Sequence, residues 1–171
     1  MSRGRGQSVT RAVNLTVAEI LARFEGGPDS GLFTDGSCSG NPGPGGWGCV
    51  YVQDGEIVAE RHGAEAQTTN NRMEFTAMIT ALSLIDPGAT VDVYSDSRLV
   101  VDTITQWAAG WERRGWRRKG GEVKNLDLVQ QAYALAQERP GARIRWIRAH
   151  DGSRWNEYAD ALSTAYMRAE V

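Results

Sequence analysis

A carboxylate ends the first apolar strand that the sequence predicts. Leu32, Phe33 and Thr34 favour the pleated, half-buried surface of a sheet, and Asp35 follows them directly. Ionised oxygens lose their hydration at such a position, so an unpartnered aspartate there costs free energy. A bound cation offsets that cost. Asp35 is therefore predicted to be the first ligand of a metal site.

Glu74 lies on the apolar face of a predicted helix, which it shares with Ala77, Met78 and Ala81. The structural alternative is a capping box in which Asn71 begins the helix and Glu74 reaches back to it. A capping glutamate belongs at the solvent edge, whereas this one lies on the core stripe. Because ionisable groups on buried faces cluster at functional sites, Glu74 is predicted to join Asp35.

Two further acids have weaker local signals. Asp96 follows a predicted strand over 91–94, and either caps the next helix or faces a ligand at the carboxyl end of the strand. Asp160 lies within the last predicted helix, and none of its neighbours three or four residues away is basic. A surface ion pair is therefore unavailable to Asp160, which favours a place in the site.

The histidines and the type of acid narrow the chemistry. His150 lies in a polar turn between a strand and a helix and is a candidate proton carrier. His62 lies near a strand end without other candidate catalytic residues, and no role is assigned to it. Neither histidine accompanies a nucleophile motif, which disfavours covalent acyl transfer. Carboxylates without zinc-type spacing favour Mg²⁺ or Mn²⁺, and two such ions about 3.5–4 Å apart can activate water against a phosphodiester. The residues alone thus predict a metal-dependent phosphodiesterase.

Composition sets the class of protein that carries this site. The chain has 171 residues, a net charge of −2, 41% hydrophobic and 23% charged residues, as expected of one globular domain. No segment approaches the ~18 consecutive apolar residues of a membrane span. Cys38 and Cys49 are too few for a disulfide framework or a four-ligand zinc site, which indicates reduced thiols and a cytoplasmic protein.

The order of elements predicts an α/β fold. Three strands in a meander are followed by helices alternating with strands, which indicates a mixed sheet with helices on both faces. A loop with six glycines is expected between positions 36 and 48, and it lacks the ending of a nucleotide-binding P-loop. The Asp54–Gly55 pair predicts a hairpin. The predicted strands are 32–34, 50–52, 57–59, 91–94 and 143–147, and the helices are 72–84, 97–107, 126–137 and 153–168.

The first thirty residues form an extension to this domain, which spans 31–171. Residues 1–12 are basic and glycine-containing and are expected to lack order. A capping box from Thr16 to Glu19 then begins a short amphipathic helix that ends before 26–28. This helix is expected to pack on its own domain or on a partner. An organellar targeting peptide is the weaker alternative, because Glu19 and Glu25 are acidic.

A basic segment contrasts with the acidic body. Between Trp111 and Lys124 there are six basic and two acidic residues. Such a patch indicates contact with nucleic-acid phosphates, which agrees with phosphodiester chemistry.

Six short motifs together resemble ribonuclease H of the bacterial type 1 class. They occur in the order and at the spacing of that family, and the resemblance covers residues 31–168. The motifs are Thr34–Ser37, Asn41–Gly46, Thr68–Glu74, Ser95–Ser97, Ala149–Gly152, and Asn156–Glu157 before Asp160.

This resemblance implies a ribonuclease H-like fold and an endonuclease that hydrolyses the RNA strand of RNA–DNA hybrids, leaving 5′-phosphate and 3′-hydroxyl ends. It implies that two Mg²⁺ ions, with Mn²⁺ as a possible substitute, are held by four acids. It also implies that His150 assists proton transfer or product release. Asp151 departs from the family pattern, in which a small neutral residue is common at this position, and it is expected to act as a charged neighbour of the imidazole. The four acids are Asp35, Glu74, Asp96 and Asp160.

The resemblance also implies two nucleic-acid contact surfaces. One touches the backbone and reads 2′-hydroxyls, which distinguish RNA from DNA; its residues are Cys38, Asn41, Asn70 and Asn71. The other is a basic protrusion at about 107–125 that grips the DNA strand. Trp107 and Trp111 are expected to pack its helices, while Trp116 is expected to face a sugar. Its residues are Trp107, Arg113, Arg114, Trp116, Arg117, Arg118, Lys119, Lys124 and Asn125.

Two other classes of function compete with this prediction. A hybrid-binding module without catalysis is disfavoured because all four acids and the histidine are present. A DNA-acting relative on the same fold, such as a transposase or junction resolvase, is disfavoured by the basic protrusion and by the Asn70–Asn71 pair. A monomer is the expected oligomeric state.

Overall fold

A computed structural model describes residues 15–171 of the chain. The segment 1–12, for which the sequence predicts a lack of order, lies outside the described residues. Within residues 15–171, none of the helices combines the length and the apolar character needed to cross a membrane.

The centre of the fold is a five-stranded mixed sheet with the order β3-β2-β1-β4-β7. The first three strands form an antiparallel meander, and β4 and β7 run parallel to β1, which confirms the predicted ribonuclease H-like sheet. The predicted hairpin at Asp54–Gly55 joins β2 to β3. A separate two-stranded ribbon is formed by β5 and β6. The strands are β1 (Gly31–Cys38), β2 (Gly43–Gln53), β3 (Glu56–Thr68), β4 (Val91–Ser95), β5 (Arg117–Arg118), β6 (Gly121–Glu122) and β7 (Ala142–Trp146).

Helices follow the predicted order. The capping box between Thr16 and Glu19 is present and begins α1. The helix predicted over 97–107 continues further, because a π-helical segment, Thr103–Trp107, joins α3 to α4. The helices are α1 (Val17–Arg23), α2 (Asn70–Ser83), α3 (Arg98–Asp102), α4 (Ala108–Arg113), α5 (Leu126–Gln137) and α6 (Arg154–Thr164), and a single 3₁₀ turn, Ala165–Met167, follows α6.

The sheet separates two hydrophobic clusters. Successive side chains of β1 point to opposite faces. Leu32 therefore packs with Met78 and the helices α2 and α5 on one face. Phe33 packs with Leu162 of α6 and Ile20 of α1 on the other. The predicted covering of both faces by helices is confirmed.

The glycine-rich stretch differs from the prediction of a loop over 36–48. Strand β1 extends to Cys38 and includes Gly36, and β2 begins at Gly43 and contains four more of the glycines. Gly40 alone of the six lies in the turn between the two strands. The reason is close packing, because a Cβ added to Gly48 would lie 2.3 Å from the Cβ of Leu162 in α6. The other five glycines are strand residues that let a helix approach the sheet.

Candidate active site

Strand register places Asp35 and Asp96 side by side. Thr34 of β1 is paired with Ser95, the last residue of the parallel strand β4. Asp35 continues β1 opposite Gly48 of β2 and lies next to Asp96, the first residue after β4. Asp35 is buried, with 5% exposure. The N-cap of α3 is Ser97, whose hydroxyl accepts a hydrogen bond from the N–H of Val100. Asp96 is therefore free of the capping role that was its structural alternative.

The main chain at Asp96 is held by a neighbouring strand. The indole Nε1–H of Trp146, at the end of β7, donates to the carbonyl of Asp96 at 3.1 Å. The guanidinium of Arg98 lies 3.9 Å from the centre of that indole ring. These contacts fix the direction in which the Asp96 side chain leaves the sheet.

Helix α2 brings Glu74 to the same edge. The helix is capped by Thr69 rather than Asn71, so the capping-box interpretation of Glu74 is wrong and the core-facing interpretation is confirmed. Glu74 is buried, with 4% exposure. The helix can lie this close to β1 because Gly36 has no side chain: an added Cβ would lie 2.3 Å from the backbone nitrogen of Glu74.

The last acid, Asp160, comes from α6 and is half-buried. The hydroxyl of Ser163, one turn further along, lies 2.8 Å from the carbonyl oxygen of Asp160 and 3.4 Å from Oδ2 of Asp35. Ser163 thereby links the helix that carries Asp160 to the strand that carries Asp35.

Three carboxylates meet closely and the fourth lines the same cavity. One oxygen each from Asp35, Glu74 and Asp96 lies within 4.8 Å of the others. Asp160 is outside this trio but lines the same open cavity of about 500 Å³. Oε2 of Glu74 is buried without a hydrogen-bond partner among the described residues. A buried set of hard oxygen donors with an unpartnered atom fits a divalent cation of the Mg²⁺ type.

Burial and mutual repulsion raise the pKa of each acid in the trio. Desolvation is the largest cause at Asp35, followed by the charges of Glu74, Asp96 and Asp160, and its pKa lies well above the usual value. The pKa of Glu74 is raised well above its usual value by burial and then by Asp96. For Asp96, burial and then Asp160 raise the pKa from 3.8 to about 6, against the opposing charge of His150. Without a cation, the cluster therefore resists full ionisation.

We expect the stability of the metal-free protein to fall as pH rises across this window, and Asp96→Asn isolates one part of the effect. Unfolded Asp96 releases its proton near 3.8, whereas the folded protein keeps it up to about 6. Rising pH through this interval therefore favours the unfolded state. In chelator, thermal melts between pH 4 and pH 8 should show wild type losing stability relative to Asp96→Asn. Parallel curves for the two proteins would contradict the assignment.

His150 lies near these acids, and its ring contacts Glu157, a residue for which no role is predicted. His150 lies in the turn before α6 with φ of 52°, and its Nδ1 is 3.1 Å from Oε1 of Glu157. The Glu157 side chain is 2% exposed, its Oε2 has no partner among the described residues, and burial raises its pKa. Asp151, the expected charged neighbour of the imidazole, is exposed, and its effect on His150 stays a prediction. The sequence does contain one indication of a role for Glu157: it precedes Asp160 by one helical turn, so both side chains lie on the same face of α6.

Two of the four predicted RNA-contacting residues line the cavity, and the other two lie next to Asn70. Oδ1 of Asn41 accepts a hydrogen bond from the backbone N–H of Asn70 at 2.8 Å, which joins the β1–β2 loop to the start of α2. Cys38 and Asn70 line the cavity itself. Asn71 is exposed and lines an adjoining groove. The structure thus brings these four residues together beside the acids.

The basic segment forms α4 and the β5–β6 ribbon. Trp107 is 40% exposed and lies 6.0 Å from Trp111, ring centre to ring centre. Trp116, expected to be the ring that faces outward, is half-buried and edge-on to Tyr133 of α5. Trp107 is therefore the more accessible ring. All the predicted basic residues of this segment are exposed: Arg113, Arg114, Arg117, Arg118, Lys119 and Lys124.

Asn125 has a structural contact in addition to its predicted one. It takes φ of 56° at the start of α5, and its Oδ1 lies 3.4 Å from Nη1 of Arg72. Arg72 also makes two hydrogen bonds to Asp127, at 3.1 and 2.9 Å, and this pairing lowers the pKa of Asp127. These bonds connect the base of the basic segment to α2.

A mixed sheet with a buried carboxylate cluster where β4 ends beside β1 defines the ribonuclease H-like class of fold. The family model described as RNase H matches residues 28–168. The chain belongs to the ribonuclease H family and is an enzyme of that family.

Relatives and solved structures are similar over most of the chain. Ribonuclease H of Agrobacterium fabrum is 49% identical over 137 residues, 80% of this chain and 92% of that protein. Ribonuclease H of Rhizobium johnstonii is 47% identical, over 80% of this chain and 89% of its own length. The crystal structure of LC9-RNase H1 has a TM-score of 0.67 at 35% identity and covers 82% of this chain and 74% of its own. That of LC11-RNase H1 in complex with RNA/DNA hybrid has a TM-score of 0.57 at 25% identity, covering 80% and 98%.

Proposed function

We propose that the protein is an endonuclease of the bacterial type 1 class that hydrolyses the RNA strand of RNA–DNA hybrids with two divalent ions. The observation that carries this proposal is the buried trio of carboxylates, with oxygens within 4.8 Å, at the floor of an open cavity. The basic segment next to it supplies charge for nucleic-acid phosphates. The similarity to a protein solved with RNA/DNA hybrid supports the substrate.

The four acids are the ligands in this proposal, with Mg²⁺ preferred and Mn²⁺ as a substitute. When bound, the ions supply activation of water and stabilisation of the charge that develops on the phosphodiester. Asp35 and Asp96 orient them from the sheet, and Glu74 and Asp160 from the two helices that flank it. Cleavage of the phosphorus–O3′ bond gives a 5′-phosphate and a 3′-hydroxyl.

His150 moves a proton or helps release product in this scheme. Its Nδ1 contacts Glu157, so its Nε2 is the nitrogen left to face the substrate. A proton on Nε2 can pass to the departing 3′-oxygen. Glu157 acts through His150 by fixing the plane of the ring.

Two surfaces hold the hybrid on either side of the acids. The residues in and beside the cavity, Cys38, Asn41, Asn70 and Asn71, contact the RNA backbone and its 2′-hydroxyls. The basic segment grips the DNA strand, with Trp107 as its accessible ring. The contact residues proposed on this protrusion are Trp107, Arg113, Arg114, Trp116, Arg117, Arg118, Lys119, Lys124 and Asn125.

A cleavage assay tests the substrate and the metal together. End-labelled RNA–DNA hybrid, DNA duplex and RNA duplex are each incubated with Mg²⁺, with Mn²⁺ or with chelator. We expect cleavage of the hybrid alone, in the RNA strand, and only with metal. Binding of the hybrid without cleavage would indicate a non-catalytic module, and cleavage of the DNA duplex would indicate a DNA-acting enzyme.

Glu157→Gln is expected to lower kcat roughly tenfold, a part of the 10²–10⁴-fold typical of general acid–base groups. The amide leaves the packing intact but weakens the contact to His150. Because Glu157 acts through the ring, the double variant with His150→Ala should be no slower than His150→Ala alone. Glu56→Gln, which makes the same change at an exposed carboxylate of β3, is the matched control and should leave kcat unchanged. Additive losses in the double variant would refute the pairing.

We propose that the N-terminal segment from residue 15 packs on its own domain rather than serving mainly as a partner site. Ile20 of α1 is fully buried against the cluster that contains Trp155. Arg154 of α6 donates to the carbonyl of Phe24 at 2.6 Å and to that of Leu21 at 2.9 Å. These bonds satisfy carbonyls that the end of α1 leaves open. The segment is then a part of the catalytic domain despite lying outside its 31–171 core.

Arg154→Ala is expected to lower the free energy of unfolding by about 2 kcal/mol, because two charged hydrogen bonds to the end of α1 are lost. Arg23→Ala, which breaks only an exposed ion pair with Glu19, is the control and should cost less than about 0.5 kcal/mol. Urea melts of the full chain give both values. Equal losses in the two variants would contradict the packing role of Arg154.

Two remaining proposals concern the cellular compartment and the oligomeric state of the protein. Cys38 and Cys49 are free thiols, which agrees with the reducing cytoplasm. We propose that the protein acts there as a monomer.

A further inference from the structure

The turn after α6 places an aromatic hydroxyl at the rim of the acid cavity. The ring of Tyr166 lies against β2, where a Cβ added to Gly46 would be 2.6 Å from its Cδ1. Its hydroxyl oxygen is 2.8 Å from Oγ of Ser39, which lies on the exposed loop between β1 and β2. Both residues line the same cavity as Asp35 and Asp160.

Protein groups do not use the full hydrogen-bonding capacity of the Tyr166 and Ser39 hydroxyls. Each hydroxyl has one proton to donate and two lone pairs to accept. One proton joins Tyr166 to Ser39, and the other protein contact of Ser39 Oγ is with the sulfur of Met167 at 3.6 Å. Because a thioether is a weak acceptor, a hydroxyl or phosphate oxygen readily replaces it. The pair therefore offers both a donor and an acceptor at the surface of the cavity.

A ribose fits this combination better than the other parts of a nucleic acid. A 2′-hydroxyl both donates and accepts, whereas phosphate oxygens only accept. Met167 is 42% exposed beside the pair and gives the carbon face of a sugar an apolar wall. A strand whose phosphate lies at the acids passes this rim with a neighbouring nucleotide.

We propose that Tyr166, together with Ser39, binds the 2′-hydroxyl of one ribose of the RNA strand near the scissile phosphate. Tyr166 is then a specificity-determining residue, in addition to the contacts implied by family resemblance. This inference rests on the proposed function, because it presumes an RNA strand in the cavity.

Single 2′-deoxy substitutions test the contact position by position. A hybrid with one preferred cleavage site is prepared with one deoxynucleotide at each position around it, and kcat/KM is measured for wild type and Tyr166→Phe. A neutral hydrogen bond of about 1 kcal/mol corresponds to about fivefold. We expect one position at which deoxy substitution lowers the kcat/KM of wild type about fivefold and leaves the kcat/KM of Tyr166→Phe unchanged. Ser39→Ala should lose sensitivity at the same position.

Tyr158→Phe is the matched control on α6. Its hydroxyl is bonded to Glu60 of β3 and is absent from the cavity lining, so this variant should keep the wild-type deoxy profile even if its stability falls. An unchanged profile in Tyr166→Phe would overturn the proposal. Anisotropy titrations of the same hybrids in chelator provide a second readout. If wild type bound hybrid without cleaving it, the proposed activity would fail, while the positional affinities would still decide the ribose contact.

Discussion

Asp35→Asn is expected to lose about 10³-fold or more of the hybrid-cleaving rate and to melt at a higher temperature than wild type when metal is absent. The loss of activity follows from the loss of a charged oxygen at the centre of the trio. Metal assistance is worth several kcal/mol of transition-state stabilisation, and each 1.36 kcal/mol is a factor of about ten. The side chain keeps its size, so the fold is retained.

The gain in stability has a separate cause. Burial, and then the charges of Glu74, Asp96 and Asp160, raise the pKa of Asp35, which means that its ionised form is disfavoured in the folded state. An amide removes that penalty at neutral pH. Mg²⁺ should therefore raise the melting temperature of wild type, because it binds the folded form, and should raise that of the variant much less.

Melting curves with chelator and with Mg²⁺, together with single-turnover cleavage, measure both effects. Asp54→Asn is the control, since this exposed hairpin residue has φ of 49°, a conformation that asparagine also tolerates. It should change neither rate nor metal response. Wild-type cleavage by Asp35→Asn would sink the ligand assignment, and a lower melting temperature in chelator would contradict the electrostatic argument.

The positions of the main acids could be predicted because their signals are local. Helical periodicity alone places Glu74 on the buried face of α2, and the predicted end of a strand places Asp96 at an edge of the sheet. The sequence also predicts that Asp35 ends its strand, whereas β1 continues to Cys38 and Asp35 lies within it. What periodicity does not contain is register. The pairing of Thr34 with Ser95 brings Asp35 and Asp96 together, and it depends on contact between strands that are distant in the sequence.

The features that sequence reasoning missed all depend on packing between distant segments. The glycines over 36–48 are typical of a loop, but five of the six are strand residues because α2 and α6 pack closely against this part of the sheet. A role for Glu157 becomes evident only from its contact with the ring of His150, which lies across the turn before α6. Trp116 is half-buried because Tyr133 of α5 packs against it, which no local pattern indicates.

Gly36→Ala is expected to destabilise the protein by about 3 kcal/mol and to reduce cleavage by at least about 10²-fold. A Cβ at this position would lie 2.3 Å from the nitrogen of Glu74 and 2.4 Å from the carbonyl carbon of Met73. Both are backbone atoms of α2, so a change of side-chain rotamer cannot relieve the clash. The helix must therefore move away from β1. Overpacking of this kind costs about 1–3 kcal/mol, and a misplacement of about 1 Å at a reacting centre costs about 10²-fold.

Gly88→Ala separates this steric effect from the general cost of replacing glycine. Nothing lies within 4 Å of a Cβ added at Gly88, so this variant should keep wild-type stability and activity. Mg²⁺-dependent melting adds a readout of site geometry, because displacement of Glu74 from Asp35 and Asp96 weakens the cation site. We expect the metal-induced rise in melting temperature to be preserved in Gly88→Ala and largely lost in Gly36→Ala. A Gly36→Ala protein that melts, binds Mg²⁺ and cleaves like Gly88→Ala would show that α2 does not need its close approach to β1 to complete the site.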